Sequence, residues 1–298
     1  MSKLPAFLRN FPLSSFFALA YGLSWLACLP HLLWEWGVVR ADVRAGFLLK
    51  QWVGPAAAAL VMATLRGGRA ARRRLRASGR RWRVSPVWYL VALVGAPALV
   101  LVGVLLVCGP PAVPVGVSFV PVLSWLGSFA LVFLAVGLPE ELGWRGFALP
   151  RLQERFGPLR GTLLLGALWA LWHLPFFLTS DHGGGPGVDA GAVAANFAVF
   201  TAMVVALSVL FTVVFNRTGG SVLLVALLHT AIDTGQITWL PLLLPVGLAN
   251  STSGEFTLDL ALLCTFGPAA LAVALATRGR LGYPGAVGTP VDIVAAAA

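Results

Sequence analysis

Charge is what this chain has least of. Asp, Glu, Lys and Arg supply 11% of its 298 residues and hydrophobic types 58%, where soluble domains carry roughly 25% charged residues. That balance, with near-continuous apolar runs separated by short charged loops, excludes a soluble globular fold. Cysteine is also scarce. Cys28, Cys108 and Cys264 lie within or at the ends of apolar stretches without paired spacing, which excludes a disulfide framework and a cysteine-based zinc site. No H-E-x-x-H occurs, so the usual zinc-protease helix is missing. Gly183 to Gly187 lacks the strand and helix of a phosphate-binding loop and reads as a connector. With no repeat and no long linker, residues 1–298 form a single membrane domain.

The apolar runs repeatedly reach the ~20 residues that cross a bilayer. Eight spans are expected: Phe11 to Gly37, Gly46 to Leu65, Pro86 to Cys108, Val117 to Leu138, Leu159 to Leu178, Ala192 to Phe215, Ser221 to Pro245 and Leu258 to Thr277. The fold class is therefore all-α, a polytopic bundle. Lys3, Arg9 and nine arginines between Arg66 and Arg83 mark the cytoplasmic side, and Arg151, Arg155, Arg160, Arg217, Arg278 and Arg280 fall on that same side. Asp42, Asp181, Asp189 and Glu255 fall on the other. Both termini are expected in the cytoplasm, with 278–298 a short tail there. The first span is too long for a signal-peptide core and reads as a retained helix. The net charge of +10 reflects basic loops facing anionic lipid; no nucleic-acid partner is needed.

Against this background five ionisable residues stand inside apolar helical stretches: Glu140, Glu141, His173, His229 and Asp233. Each charge in hydrocarbon costs about 3 kcal/mol even on the lenient insertion scale, so such a cluster points to function. Glu141 and Arg145 are four apart and can pair on one helical face, while Glu140 is turned about 100° away and left free to act. His229 and Asp233 share the same spacing and point into one cleft. By itself Pro139 followed by two acids also describes a capped helix starting at Glu140, and a lone intramembrane histidine often bonds a backbone carbonyl. Ser221 reads as the cap of the seventh span, since eight positions separate it from His229 by about 12 Å.

Two chemistries fit the five residues. In one, Glu140 and His173 deprotonate a water that attacks a peptide carbonyl, while His229 donates to the oxyanion. No cofactor is required. In the other, His173, His229 and Asp233 ligate zinc, with a remaining glutamate as base. A proton-coupled transporter is a further class for intramembrane acids and histidines, but the inverted repeats it should carry are not visible.

EELGWR (Glu140, Glu141, Arg145), WALWH (Trp169, His173) and HTAID (His229, Asp233) resemble, in order, the three motifs of the CPBP intramembrane proteases, the CAAX protease and Abi family related to type II CAAX prenyl endopeptidases. The likeness covers about Gly137 to Gly235, inside a family core expected at about 117–247. It implies an eight-helix bundle in a bacterial plasma membrane, and an endopeptidase acting on a membrane-associated peptide, prenylated or unmodified. The first-motif glutamate and second-motif histidine would activate water, and the third-motif pair would stabilise the oxyanion. It also admits a non-proteolytic immunity or adaptor protein of the same fold. Trp169 stands where the family usually has phenylalanine, a change of aromatic wall expected to spare the chemistry. Asp233 stands where CAAX-processing members have asparagine; an ionised aspartate only accepts, so it would be protonated, orient His229 or ligate a metal.

The expected spans and the expected cluster disagree. At ~1.5 Å per residue His229 lies about 13 Å and His173 about 20 Å from the cytoplasmic end, while Glu140 sits at the mouth of the fourth span. For them to meet, that span must run further, broken near Gly137 to Pro139, or the fifth helix must tilt.

Overall fold

A computed structural model describes residues 8, 10–40, 44–109, 119–243 and 252–285. Among them every regular element is helical. Helix α1 is Pro12–Glu35; α2 (Arg44–Gln51) leads into α3 (Ala57–Ser78), and α4 (Pro86–Leu90) into α5 (Ala96–Cys108). The central helix is assembled from α6 (Phe119–Val132), α7 (Leu138–Gly143) and α8 (Leu149–Phe156). Then come α9 (Pro158–Trp172), α10 (Ala190–Arg217), α11 (Val222–Leu243) and α12 (Thr252–Ala276).

Four wider π-helical turns join these pieces, at Trp52–Ala56, Val91–Gly95, Phe133–Gly137 and Trp144–Ala148. Each has a sequence cause. Proline lacks an N–H, and its ring collides with the carbonyl four residues back. Pro55 lies within the first turn, while Pro97, Pro139 and Pro150 each stand four residues beyond a member of the others, Leu93, Ala135 and Gly146. Widening by one residue relieves the collision without ending the helix. A freed carbonyl in the third turn is satisfied from outside, since Trp52 Nε1 donates to Leu134 O at 2.9 Å. Pro139 therefore does not start a new helix, as its capping pattern suggests. The fourth span runs on through it, and Trp125–Phe156 is one apolar helix of 32 residues.

Among the described residues six helices are long and apolar enough to cross a membrane: Pro12–Glu35, Pro86–Cys108, Trp125–Phe156, Pro158–Leu178, Ala190–Arg217 and Ser253–Ala276. They match six of the expected spans. The second falls in the α2–α3 segment, which kinks at Gly68 (φ 55°, ψ −136°). Of the seventh, Val222–Gln236 is apolar but shorter, and Leu244–Pro245 lie outside the described residues. So do Lys3, Arg9, Asp42, Val117 and all of the tail beyond Gly285. Large aliphatic side chains such as Leu26, Leu106, Leu131 and Leu275 point outward, as a lipid-facing surface requires.

Two glycines let the central helix settle among its neighbours. A Cβ at Gly137 would lie 2.4 Å from Thr230 Oγ1 and 2.8 Å from Ala226 O on α11, and one at Gly143 2.8 Å from Pro55 O. The short α7 between them is thus clasped by α11 on one side and the Trp52–Ala56 turn on the other. Further along, Phe16 stacks on Phe147 (5.0 Å) and meets the edge of Trp144 (5.7 Å). Ser221 caps α11 as expected, its Oγ accepting from Leu224 N at 3.2 Å and donating to Arg81 O at 2.6 Å.

Candidate functional site

Because α7 continues the fourth span, Glu140 and Glu141 lie mid-bundle, 2% and 0% exposed. This settles the conflict of depth, since the acids reach the level of the histidines. Glu141 and Arg145 pair as their spacing predicts, Nη1 donating to Oε1 at 2.9 Å with both side chains fully buried. The Arg145 guanidinium also lies over the rings of Trp169 (4.5 Å) and Phe211 (4.8 Å) and donates to Ser208 Oγ at 3.3 Å. Aromatic faces and a hydroxyl do here what water would do at a surface.

Glu140 faces another way, as the 100° rotation requires, but it is not free. Its Oε2 accepts from Trp169 Nε1 at 2.8 Å and from Trp144 Nε1 at 3.2 Å. The expectation that Trp169 merely replaces one aromatic wall by another is corrected: phenylalanine has no N–H, and this indole gives the acid its shortest hydrogen bond.

His229 Nδ1 lies 2.9 Å from Glu141 Oε1, and its Nε2 3.4 Å from Asp233 Oδ2. Glu141 thereby links Arg145 to His229, a bridge between α7 and α11 that the sequence does not announce. His173 terminates α9, placed by the α-helical pattern that ends at Trp172. Its Nδ1 is 2.9 Å from Trp169 O; a carbonyl only accepts, so in the neutral ring Nδ1 carries the proton and Nε2 is the free acceptor.

Glu140, Trp169, His173, His229 and Asp233 line one cavity of about 220 Å³. Glu141 and Arg145 stand behind its wall. The cavity also reaches Lys50, Gln51, His182, Gln236, Glu255 and Asp259, toward the end of the bundle that carries the segment after α9. That is away from the arginine-rich end. A larger cavity of about 600 Å³ lies there among Arg66, Arg74, Arg81, Arg151 and Arg155; its size does not make it the reaction site, since it holds none of the predicted groups.

Several of these residues escaped the sequence reading although the same signal marks them. Lys50, Asp259 and also His31 are ionisable groups in apolar spans and are buried. His182 and Glu255 fell in expected loops. His182 reaches the cavity because Leu174–Leu178 and Ser180–His182 fold back as short 3₁₀ turns, and its ring lies 6.0 Å from that of His173. Burial and the nearby Lys50 charge push its pKa down to about 3. Glu35 ties that segment to α1, accepting from Ser180 N (2.8 Å) and Oγ (2.7 Å).

The donor atoms of His173, His229 and Asp233 do not converge as zinc ligands should. Among the described residues the one set of three His, Cys, Asp or Glu donors within 4.8 Å of one another is His31, Glu35 and Asp181.

Fold and site together define a class: an integral membrane helical protein with a carboxylate–histidine centre buried among its helices. Comparison with known proteins makes this narrower. Residues 122–235 match the model of the type II CAAX prenyl endopeptidase Rce1-like family. A curated relative, CAAX prenyl protease 2 of Methanococcus maripaludis, is 41% identical over 64 residues, 22% of this chain. The match covers about a fifth of that relative's length, 21%. The matched family region contains all six predicted site residues, Glu140 to Asp233.

Proposed function

We propose that this protein is an intramembrane endopeptidase that hydrolyses a peptide bond of a membrane-associated substrate with a water activated by Glu140. The observation that carries the reading is the seating of Glu140: a 2%-exposed carboxylate on a cavity wall, with Oε2 fixed by two indole N–H groups. Oε1 is left to take a proton. A carboxylate so oriented is preorganised as a general base.

Water bound between Glu140 and His173 Nε2 attacks the carbonyl carbon as Glu140 takes its proton. The carbonyl π pair moves to oxygen, and His229, protonated on both nitrogens, donates from Nε2 to that oxyanion while Nδ1–H stays on Glu141. The intermediate collapses with cleavage of the C–N bond, and the proton held by Glu140 passes to the leaving nitrogen. Asp233, too far from His229 Nε2 for a short bond at 3.4 Å, orients that ring. The family and the relative's name suggest a CAAX-type, prenylated peptide; an unmodified one satisfies the same chemistry.

The test is cleavage of a membrane-tethered peptide library by the purified protein and by Glu140→Gln. Cleavage by the wild type alone, with both proteins equally folded, supports the reading. If neither cleaves while a cellular phenotype persists in both, the adaptor or immunity alternative replaces it. Because His173, His229 and Asp233 form no converging set of donors, cleavage is expected to survive a strong chelator; its loss, restored by zinc, would transfer the mechanism to a metal.

A further inference from the structure

The cavity has a second end that this mechanism leaves unused. Glu255 and Asp259 line it. They lie four residues apart near the start of α12 and so share one helix face. Asp259 is 5% exposed. Among the described residues neither carboxylate has a hydrogen-bond or ion-pair partner.

Like charges at this spacing repel on a helix, and an apolar bundle makes an unpaired acid costlier still. Packing does not call for them: Leu258, Ala261 and Leu262 around them are ordinary buried apolar residues. Acids kept at such a place are arranged to meet a positive group. Among the described residues Lys50 is the one lysine or arginine on the cavity wall, against four carboxylates, Glu140, Asp233, Glu255 and Asp259.

A metal ion is the weaker candidate for that group, since among the described residues Glu255 and Asp259 join no set of three donors within 4.8 Å. An organic cation fits better. At about 220 Å³ the cavity admits side chains of an extended peptide and is too small for a helix, whose diameter alone is about 10 Å.

We infer that the Glu255 and Asp259 face is a subsite for a cationic side chain, lysine or arginine, of the peptide whose carbonyl is presented to Glu140. The inference rests on the peptidase reading for the placement of the scissile bond. Lysine would enter with its ammonium toward the two acids while its stem lies along apolar wall residues such as Val204 and Leu207.

The experiment measures binding separately from turnover. Acyl-anchored fluorescent peptides carrying one lysine, scanned along the sequence, and their acetyl-lysine counterparts are titrated onto Glu140→Gln protein in nanodiscs. At one position lysine should bind about tenfold tighter than acetyl-lysine. Asp259→Asn and Glu255→Gln, each added to that protein, should bring the ratio to within about twofold while affinity for the neutral peptide and the melting temperature stay unchanged. A ratio near one at every position, or one that survives both substitutions, overturns the subsite. Cleavage of the same peptides by wild type reports on the other reading alone: charge-selective binding without cleavage defeats the peptidase and leaves the subsite, and cleavage indifferent to charge does the reverse.

Discussion

Trp169→Phe should slow the reaction about tenfold without unfolding the protein. The change keeps a ring over the Arg145 guanidinium, 4.5 Å away in the native protein, and removes the N–H that Glu140 Oε2 accepts at 2.8 Å. A hydrogen bond to a charged group contributes about 1.5–3 kcal/mol, and each 1.4 kcal/mol is about tenfold in rate. Trp144 still holds the same oxygen at 3.2 Å, so the lower end of that range applies. Trp172→Phe is the matched control. It deletes the same atoms from another fully buried indole whose Nε1 has no partner, so a comparable packing loss comes with no bond lost. The assay is single-turnover cleavage of a tethered fluorogenic peptide, with thermal melting in parallel. Activity of Trp169→Phe within twofold of wild type, or an equal loss in Trp172→Phe, refutes the role assigned to the indole.

Stability should depend on the Glu141 and Arg145 pair. Arg145→Ala leaves the buried Glu141 with His229 as its remaining partner and should cost about 3 kcal/mol, the lower end for a broken buried pair, read as a lowered melting temperature, whereas Glu141→Leu with Arg145→Met should recover part of it, since His229 Nδ1 then lacks its acceptor. At Gly143 a methyl would press on Pro55 O at 2.8 Å, and Gly143→Ala should destabilise by about 1–3 kcal/mol; an unchanged melting temperature would mean that the crossing is looser than described. His182, held at about 3, sets a pH dependence. Below pH 6.5 the unfolded chain takes up a proton that the folded one refuses until about pH 3, so stability falls as pH drops through that window, by up to about 2 kcal/mol between pH 6.5 and 5. His182→Asn should flatten the melting temperature between pH 5 and 7, and an unaltered slope would assign it to other groups.

Sequence alone determined the environment and most of the candidate site. Apolar run length put the chain in a bilayer because backbone and side chains there have no water to turn to, and the cost of charge in hydrocarbon singled out Glu140, Glu141, His173, His229 and Asp233. Helical spacing fixed the Glu141 and Arg145 pair, since four residues make one turn whatever surrounds them. Other features depended on contacts between distant segments. Pro139 carries the pattern of a helix start, and only the packing of α7 between α11 and the Trp52–Ala56 turn shows that the helix widens and continues. The bridge from Glu141 to His229 joins residues 88 positions apart. Trp169 differs from phenylalanine only if an acceptor stands at the end of its indole, and that acceptor comes from another helix. Likewise the cavity that gathers His182, Glu255 and Asp259 beside Glu140 is made by the crossing of helices, a relation that no local periodicity encodes.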